Sequence, residues 1–313
     1  MKRLICLTCS VFLLTFIHVE ARDASSLVNF PGGRIALSFD GNQHDPDDIV
    51  AMPIALALID AAGLRDAVVH VEHSNHVCDN NPRLHNAMIS SAAGMISMFN
   101  YSPDVIFDYQ KEGEAATANF IRVINESSDD NRLWILAAGP METIYRAMSG
   151  AEKEKLRHVV IISHSRWNQN HGCCGEGMSR RWDDLKESFE PYGTFFVESC
   201  GRIDQCTEEE FNDPRYLMDQ NYSNEEYDFN TDPSYWEWLR DSEDYRMKWL
   251  FSRNPFNPKF DPSDAGMAYF LISGGPWDGG CKNCGWPAAK ELLLNPDYLA
   301  REPVRVYRSE LVD

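Results

Sequence analysis

The chain has 313 residues, with 48 acidic against 29 basic side chains and a formal net charge of −19. Charge of that sign argues against nucleic acid and anionic membrane surfaces as partners, because phosphate recognition draws its affinity from Lys and Arg. A hydrophobic content of 43%, with 12% aromatic, is ample for a packed core and excludes disorder as the main state.

At the N-terminus, Met1-Lys2-Arg3 forms a positive segment, Leu4 to Ile17 an apolar run, and Val19-Glu20-Ala21 a stretch with small residues fit for cleavage. This pattern predicts a signal peptide over residues 1–21 and an exported mature chain, 22–313, that is secreted or periplasmic. No later apolar run approaches the ~20 residues that span a bilayer. Export favours disulfides among Cys78, Cys173, Cys174, Cys200, Cys206, Cys281 and Cys284. Cys200 with Cys206 and Cys281 with Cys284 are the pairs nearest in sequence. A zinc site built from Cys281, Cys284 and the vicinal Cys173-Cys174 is the alternative.

Arg34 to Asp40 reads as a buried strand and Asp47 to Leu64 as a helix. Ala67 to His73 follows as a strand, Pro82 to Asn100 and Glu112 to Asn125 as helices, Leu133 to Ala138 as a strand, Pro140 to Met148 as a helix and His158 to Ser163 as a strand. Strands separated by helices at this spacing predict an α/β fold with a mostly parallel central sheet covered on both faces. Ligands in such sheets sit beyond the carboxyl ends of the strands. That rim holds Asp40 to Asp48, the segment after His73, Ala138-Gly139-Pro140, and Ser163 to Gly177. Around residues 204–245 acids interleave with aromatics such as Tyr216, Tyr222, Trp236 and Trp238. This stretch suits a lid over the rim, or an acidic surface whose aromatics pack inward. Asp264 to Ile272 reads as a late helix, and the whole mature chain as a single domain.

The segment from Asp40 to Asp48 is the densest in chemistry. Asp40, Asp45, Asp47 and Asp48, with Asn42 and His44 between them, leave a strand and enter a helix. Carboxylates packed so closely repel unless a cation neutralises them, and hard oxygen donors favour calcium (Ca2+) or magnesium. Favourable charge at a helix N-terminus accounts for Asp47 and Asp48 but not for Asp40 and Asp45. Ser163 to His171 is a second polar cluster, in which Asn168 and Asn170 flank the apolar face of Trp167, a combination fit for a hydroxyl-rich ligand. His164 suits that ligand or a satisfied structural role equally. Asn100, Asn125 and Asn221 begin N-x-S sequons.

Asp40-x-Asn42 followed by Asp47-Asp48 resembles the aspartate cluster of the inosine-uridine type nucleoside hydrolases. It is closer still to a nucleoside-hydrolase-like branch of exported, carbohydrate-associated bacterial proteins. Two further segments fall in the family's order: Trp134 to Thr143, similar to its strand followed by G-P-L-T-N, and Pro262 to Ala268, similar to its late H-D helix start. The resemblance spans roughly Arg34 to Ile272. It implies a nucleoside-hydrolase-like α/β domain and a calcium-dependent glycosidase acting on a nucleoside or sugar derivative, or a carbohydrate-binding protein that keeps the metal site without catalysis. It implies calcium ligation by Asp40, Asp48, Asp264 and the Ala138 carbonyl, with Asp47 on sugar hydroxyls. Asn42 stands where the family keeps the aspartate that activates water, one residue is inserted before Asp47, and Ser263 replaces the late His. An amide ligates through oxygen but accepts no proton, so the base is expected at Asp45, or at His44. The substrate-binding set is then expected to comprise Asp47, His164, Trp167, Asn168 and Asn170.

Overall fold

The computed structural model describes residues 27–41, 46–75, 81–163, 168–169, 180–198, 236–255, 260, 262–274 and 286–301. The leader, all nine cysteines, and residues 204–235 of the acidic stretch lie outside the described residues. So do Asn42, His44, Asp45, His164, Trp167 and Asn170. Among the described residues no helix is long and apolar enough to cross a membrane.

Six parallel strands form one sheet: β1 (Arg34–Phe39), β2 (Val68–His73), β3 (Ile106–Asp108), β4 (Leu133–Ala138), β5 (Val159–Ser163) and β6 (Phe195–Glu198), in the order β3-β2-β1-β4-β5-β6. The helices described between strands are α1 (Asp48–Ala61), α2 (Pro82–Phe99), α3 (Tyr109–Asn125), α4 (Met141–Gly150) and α5 (Trp182–Phe189). They are followed by α6 (Glu237–Asp241), α7 (Tyr245–Ser252), α8 (Ala265–Ile272), α9 (Trp286–Leu293) and α10 (Pro296–Leu299). The fold is α/β, as the alternation of patterns predicts.

Side chains of a strand alternate between faces, and two cores result. Ile35, Leu37 and Phe39 of β1 and Trp134, Leu136 and Ala138 of β4 join α1, α2, α7 and α8. Ala36, with Leu133, Ile135 and Ala137, joins α3, α4 and α5 on the opposite face. Trp236, from the end of the acidic stretch, is buried and stacks on Phe260 at 5.3 Å, so at that position the aromatic packs inward.

The innermost helix is α1, buried around its whole circumference from Asp48 to Asp60 despite Pro53 in its interior. Proline carries no N–H, so the Ile49 carbonyl one turn earlier loses its usual donor. Ser91 of α2 supplies one: its Oγ donates to Ile49 O at 2.7 Å and accepts from Arg253 Nε at 3.0 Å. A hydrogen bond between helices thus replaces one within a helix.

The expected strand ends agree to within a residue, whereas β3, β6, α5, α6, α7, α9 and α10 are additional. The helix expected from Glu112 starts at Tyr109, and Glu112 (φ −124°, ψ 27°) marks a kink inside it. From β1 the chain winds outward through β2 to β3, then returns to β4 on the other side of β1 and winds outward again. The order therefore reverses between β1 and β4, and the crevice beyond their carboxyl ends is where an open parallel sheet binds ligands.

Candidate metal centre

The crevice is built by the backbone first. The amides of Asp40 (2.6 Å) and Gly41 (3.3 Å) both donate to Asp48 Oδ2, tying the end of β1 to the first residue of α1. Gly41 holds φ +63°, which lets the chain turn there without a side-chain clash. On one side the end of β2 is fastened to this turn, since Ser74 N donates to Phe39 O (2.9 Å) and Asn75 N to Asp40 O (2.6 Å). On the other side Ala138 faces Phe39 in the β1/β4 register. The next residue, Gly139, sits so close that a Cβ there would lie 2.8 Å from Asp40 N and Phe39 C. A glycine at this point allows β4 to end against the acid-bearing turn.

Three carboxylates converge in the space so enclosed. Oxygens of Asp47, Asp48 and Asp264 lie within 4.8 Å of one another, and all three residues are buried. Asp47 and Asp264 occupy the N-cap positions of α1 and α8, yet neither side chain makes a capping hydrogen bond. Helix capping therefore does not explain them. Asn168, also buried, donates from Nδ2 to Asp264 Oδ1 at 2.6 Å. Asp48 Oδ1 and Asn168 Oδ1 are buried with no hydrogen-bond partner among the described residues. Burial, and then the charges of Asp40, Asp264 and Asp47, push the Asp48 carboxyl well above the ordinary range, against the stabilising amide of Asp40.

Such an arrangement is costly without a cation, since three ionised carboxylates out of water repel strongly. A divalent ion would relieve the repulsion and supply partners for the buried oxygens. Among the described residues the grouped donors are all oxygens, which fits calcium or magnesium. Asp48 and Asp264, both expected as metal ligands, are two of the three grouped carboxylates. Asp47, expected on sugar hydroxyls, belongs to the same group of oxygens. Asp40 acts on Asp48 through its charge and its N–H. Ala138 stands at the adjoining strand end, and Asn168, expected on the substrate, holds Asp264.

On the far side of β1 the rim carries a constellation that the sequence reading passes over. Ligand atoms of His73, His85 and Asp108 lie within 4.8 Å of one another. Burial, opposed by Asp108 but assisted by His85 and Lys111, pushes His73 down to about 4. A histidine ending a strand was the available signal. Its partners come from α2 and from a three-residue strand, neither of which marks itself in the sequence.

No known protein-family profile matches the chain, and no solved structure matches it. Among curated proteins it is similar to one from Formosa agariphila described as uncharacterized protein P22, with 28% identity over 288 residues covering 86% of this chain and 94% of that protein.

Proposed function

We propose that this protein is an exported, calcium-dependent glycosidase that hydrolyses the N- or O-glycosidic bond of a nucleoside or sugar derivative. The carrying observation is the convergence of Asp47, Asp48 and Asp264, buried and all-oxygen, at the point where the strand order reverses. The order of the three sequence segments that resemble nucleoside hydrolases supports the same reading, and the N-terminal pattern supports export.

Asp48 and Asp264, with Asp40 beside them, would hold calcium, and Asn168 would fix the rotamer of Asp264. When bound, calcium supplies positive charge for water activation and hydroxyl binding. Asp47, in the same group of oxygens, would hold sugar hydroxyls beside the ion. The proton of the attacking water goes to Asp45, with His44 as the second candidate, because Asn42 accepts none. As the water oxygen bonds to the anomeric carbon, the glycosidic bond breaks through an oxocarbenium-like transition state that nearby carboxylates stabilise by charge, and the leaving group departs with a proton drawn from solvent.

Hydrolysis of a panel of ribonucleosides and nitrophenyl glycosides, with calcium and after chelation, tests this reading. Turnover that disappears on chelation and falls by about two to four decades in Asp45→Asn or His44→Ala is expected. Asn42 favours a second reading, a sugar-binding protein that has lost its base. Saturable calcium-dependent sugar binding without turnover on the panel would establish that reading and overturn the first.

A further inference from the structure

We propose that His73, His85 and Asp108 form a second metal site, which takes a zinc-type divalent cation through two imidazole nitrogens and one carboxylate. The three come from separate elements that the fold brings together: the last residue of β2, the first turn of α2 and the last residue of β3. His85 Nε2 lies 2.8 Å from Asp108 Oδ2, and all three ligand atoms fall within 4.8 Å of one another. A tetrahedral ion with bonds of ~2.0–2.1 Å needs ligand atoms about 3.3 Å apart. The trio therefore reaches coordinating geometry with shifts on the order of 1 Å, within reach of side-chain rotation.

Two buried atoms mark the site as incomplete without a ligand. His73 is 1% exposed, and its Nδ1 has no hydrogen-bond partner among the described residues. Asp108 Oδ1 is likewise buried and without a partner there. Buried polar atoms normally find partners, and leaving one without costs about 1–3 kcal/mol. His85 and Asp108 keep slight side-chain exposure, 13% and 12%, so the trio is within reach of solvent. Three protein ligands with an open position is the count of a zinc site that binds water or ligand. Imidazole donors also separate this site from its all-oxygen neighbour, since nitrogen suits zinc-like ions and carboxylate suits calcium.

A structural account competes with this one: His85 and Asp108, joined by Lys111 Nζ at 3.3 Å, would form a salt-bridged brace between α2 and β3. The two accounts differ at Lys111. Its side chain is 60% exposed and withdraws readily, but its ammonium competes with any cation at Asp108. Under the metal account Lys111→Ala strengthens zinc binding several-fold, and under the brace account it does not.

The test is zinc binding by the purified full chain, measured by calorimetry and metal analysis after chelator stripping, with cobalt as a visible-absorbing substitute. Expected are one equivalent of zinc bound with calcium present, the same equivalent in Asp264→Asn, and tighter binding in Lys111→Ala. His85→Ala and Asp108→Asn, at partly exposed positions, should each weaken binding by more than the roughly 10–100-fold that loss of an outer-shell partner costs. Their melting temperatures in chelator show that the fold is intact and keep the result interpretable if His73→Ala unfolds. Zinc affinity unchanged in both His85→Ala and Asp108→Asn, or no response to Lys111→Ala, overturns the proposal.

Discussion

Under the proposed function, Asp48 would couple a bound metal to the stability of the fold. Its carboxyl is held well above the ordinary range in the folded chain and has the ordinary value when unfolded. The metal-free fold therefore keeps this proton while the unfolded chain gives it up, and stability falls as pH rises above the ordinary carboxylate range. The slope approaches ~1.4 kcal/mol per pH unit for one such proton. Calcium reverses the sign by favouring the ionised cluster, so holo protein should gain stability over the same interval. Denaturation curves from pH 4 to 8, in chelator and in calcium, check this, and parallel profiles in the two conditions would refute it. Asn168 acts one step further out. Asn168→Ala removes the 2.6 Å hydrogen bond that orients Asp264, and calcium affinity should drop about 10–100-fold, readable by calorimetry.

Between elements, the contacts that matter most are those where one segment supplies what another lacks. Ser91→Ala removes the donor that replaces the missing Pro53 N–H and leaves Ile49 O buried and unsatisfied. A loss of about 1–3 kcal/mol is expected in urea denaturation. Gly139→Ala should do both kinds of damage. Its Cβ would meet Asp40 N and Phe39 C at 2.8 Å, forcing apart the strand ends that carry the acid turn, so stability and calcium affinity should fall together. The elements legible in the sequence are those whose chemistry is local. Strands β1 and β4 are buried on both faces and read as continuous apolar runs, and α1 opens on its aspartates. Strand β3 has three half-buried residues and β6 an exposed Phe195, too little apolar contrast to separate from loop. At the site, the density of acids from Asp40 to Asp48 marks the stretch, but which acids group together depends on packing. Asp47 joins Asp48 and Asp264 only because α1 and α8 start beside each other, and Asn168 reaches Asp264 across a long stretch of sequence.

Across the whole molecule, the carboxylate cluster joins an early and a late segment of the chain. Asp47 and Asp48 start α1 after the first strand, Asp264 starts α8 near the end, and α1 packs on both α2 and α8 in one core. An ion bound to Asp48 and Asp264 would join segments that are far apart in sequence and separate on unfolding, so it would act on global stability as well as on the site. A ligand that binds only the folded state stabilises it by about 2.7 kcal/mol at a hundredfold excess over its Kd. For a chain of this length that corresponds to a rise of several degrees in Tm. Calcium should therefore raise Tm in proportion to the logarithm of its concentration, and chelation should bring it back to the metal-free value. Asp264→Asn should abolish the dependence. Part of the electrostatic cost of the empty cluster disappears with that charge, so the variant should be no less stable than wild type in chelator. Scanning calorimetry of both proteins across a calcium series decides the matter. A calcium-dependent Tm that survives in Asp264→Asn would place the ion elsewhere in the chain. A variant much less stable than wild type in chelator would show that Asp264 serves the fold through contacts of its own.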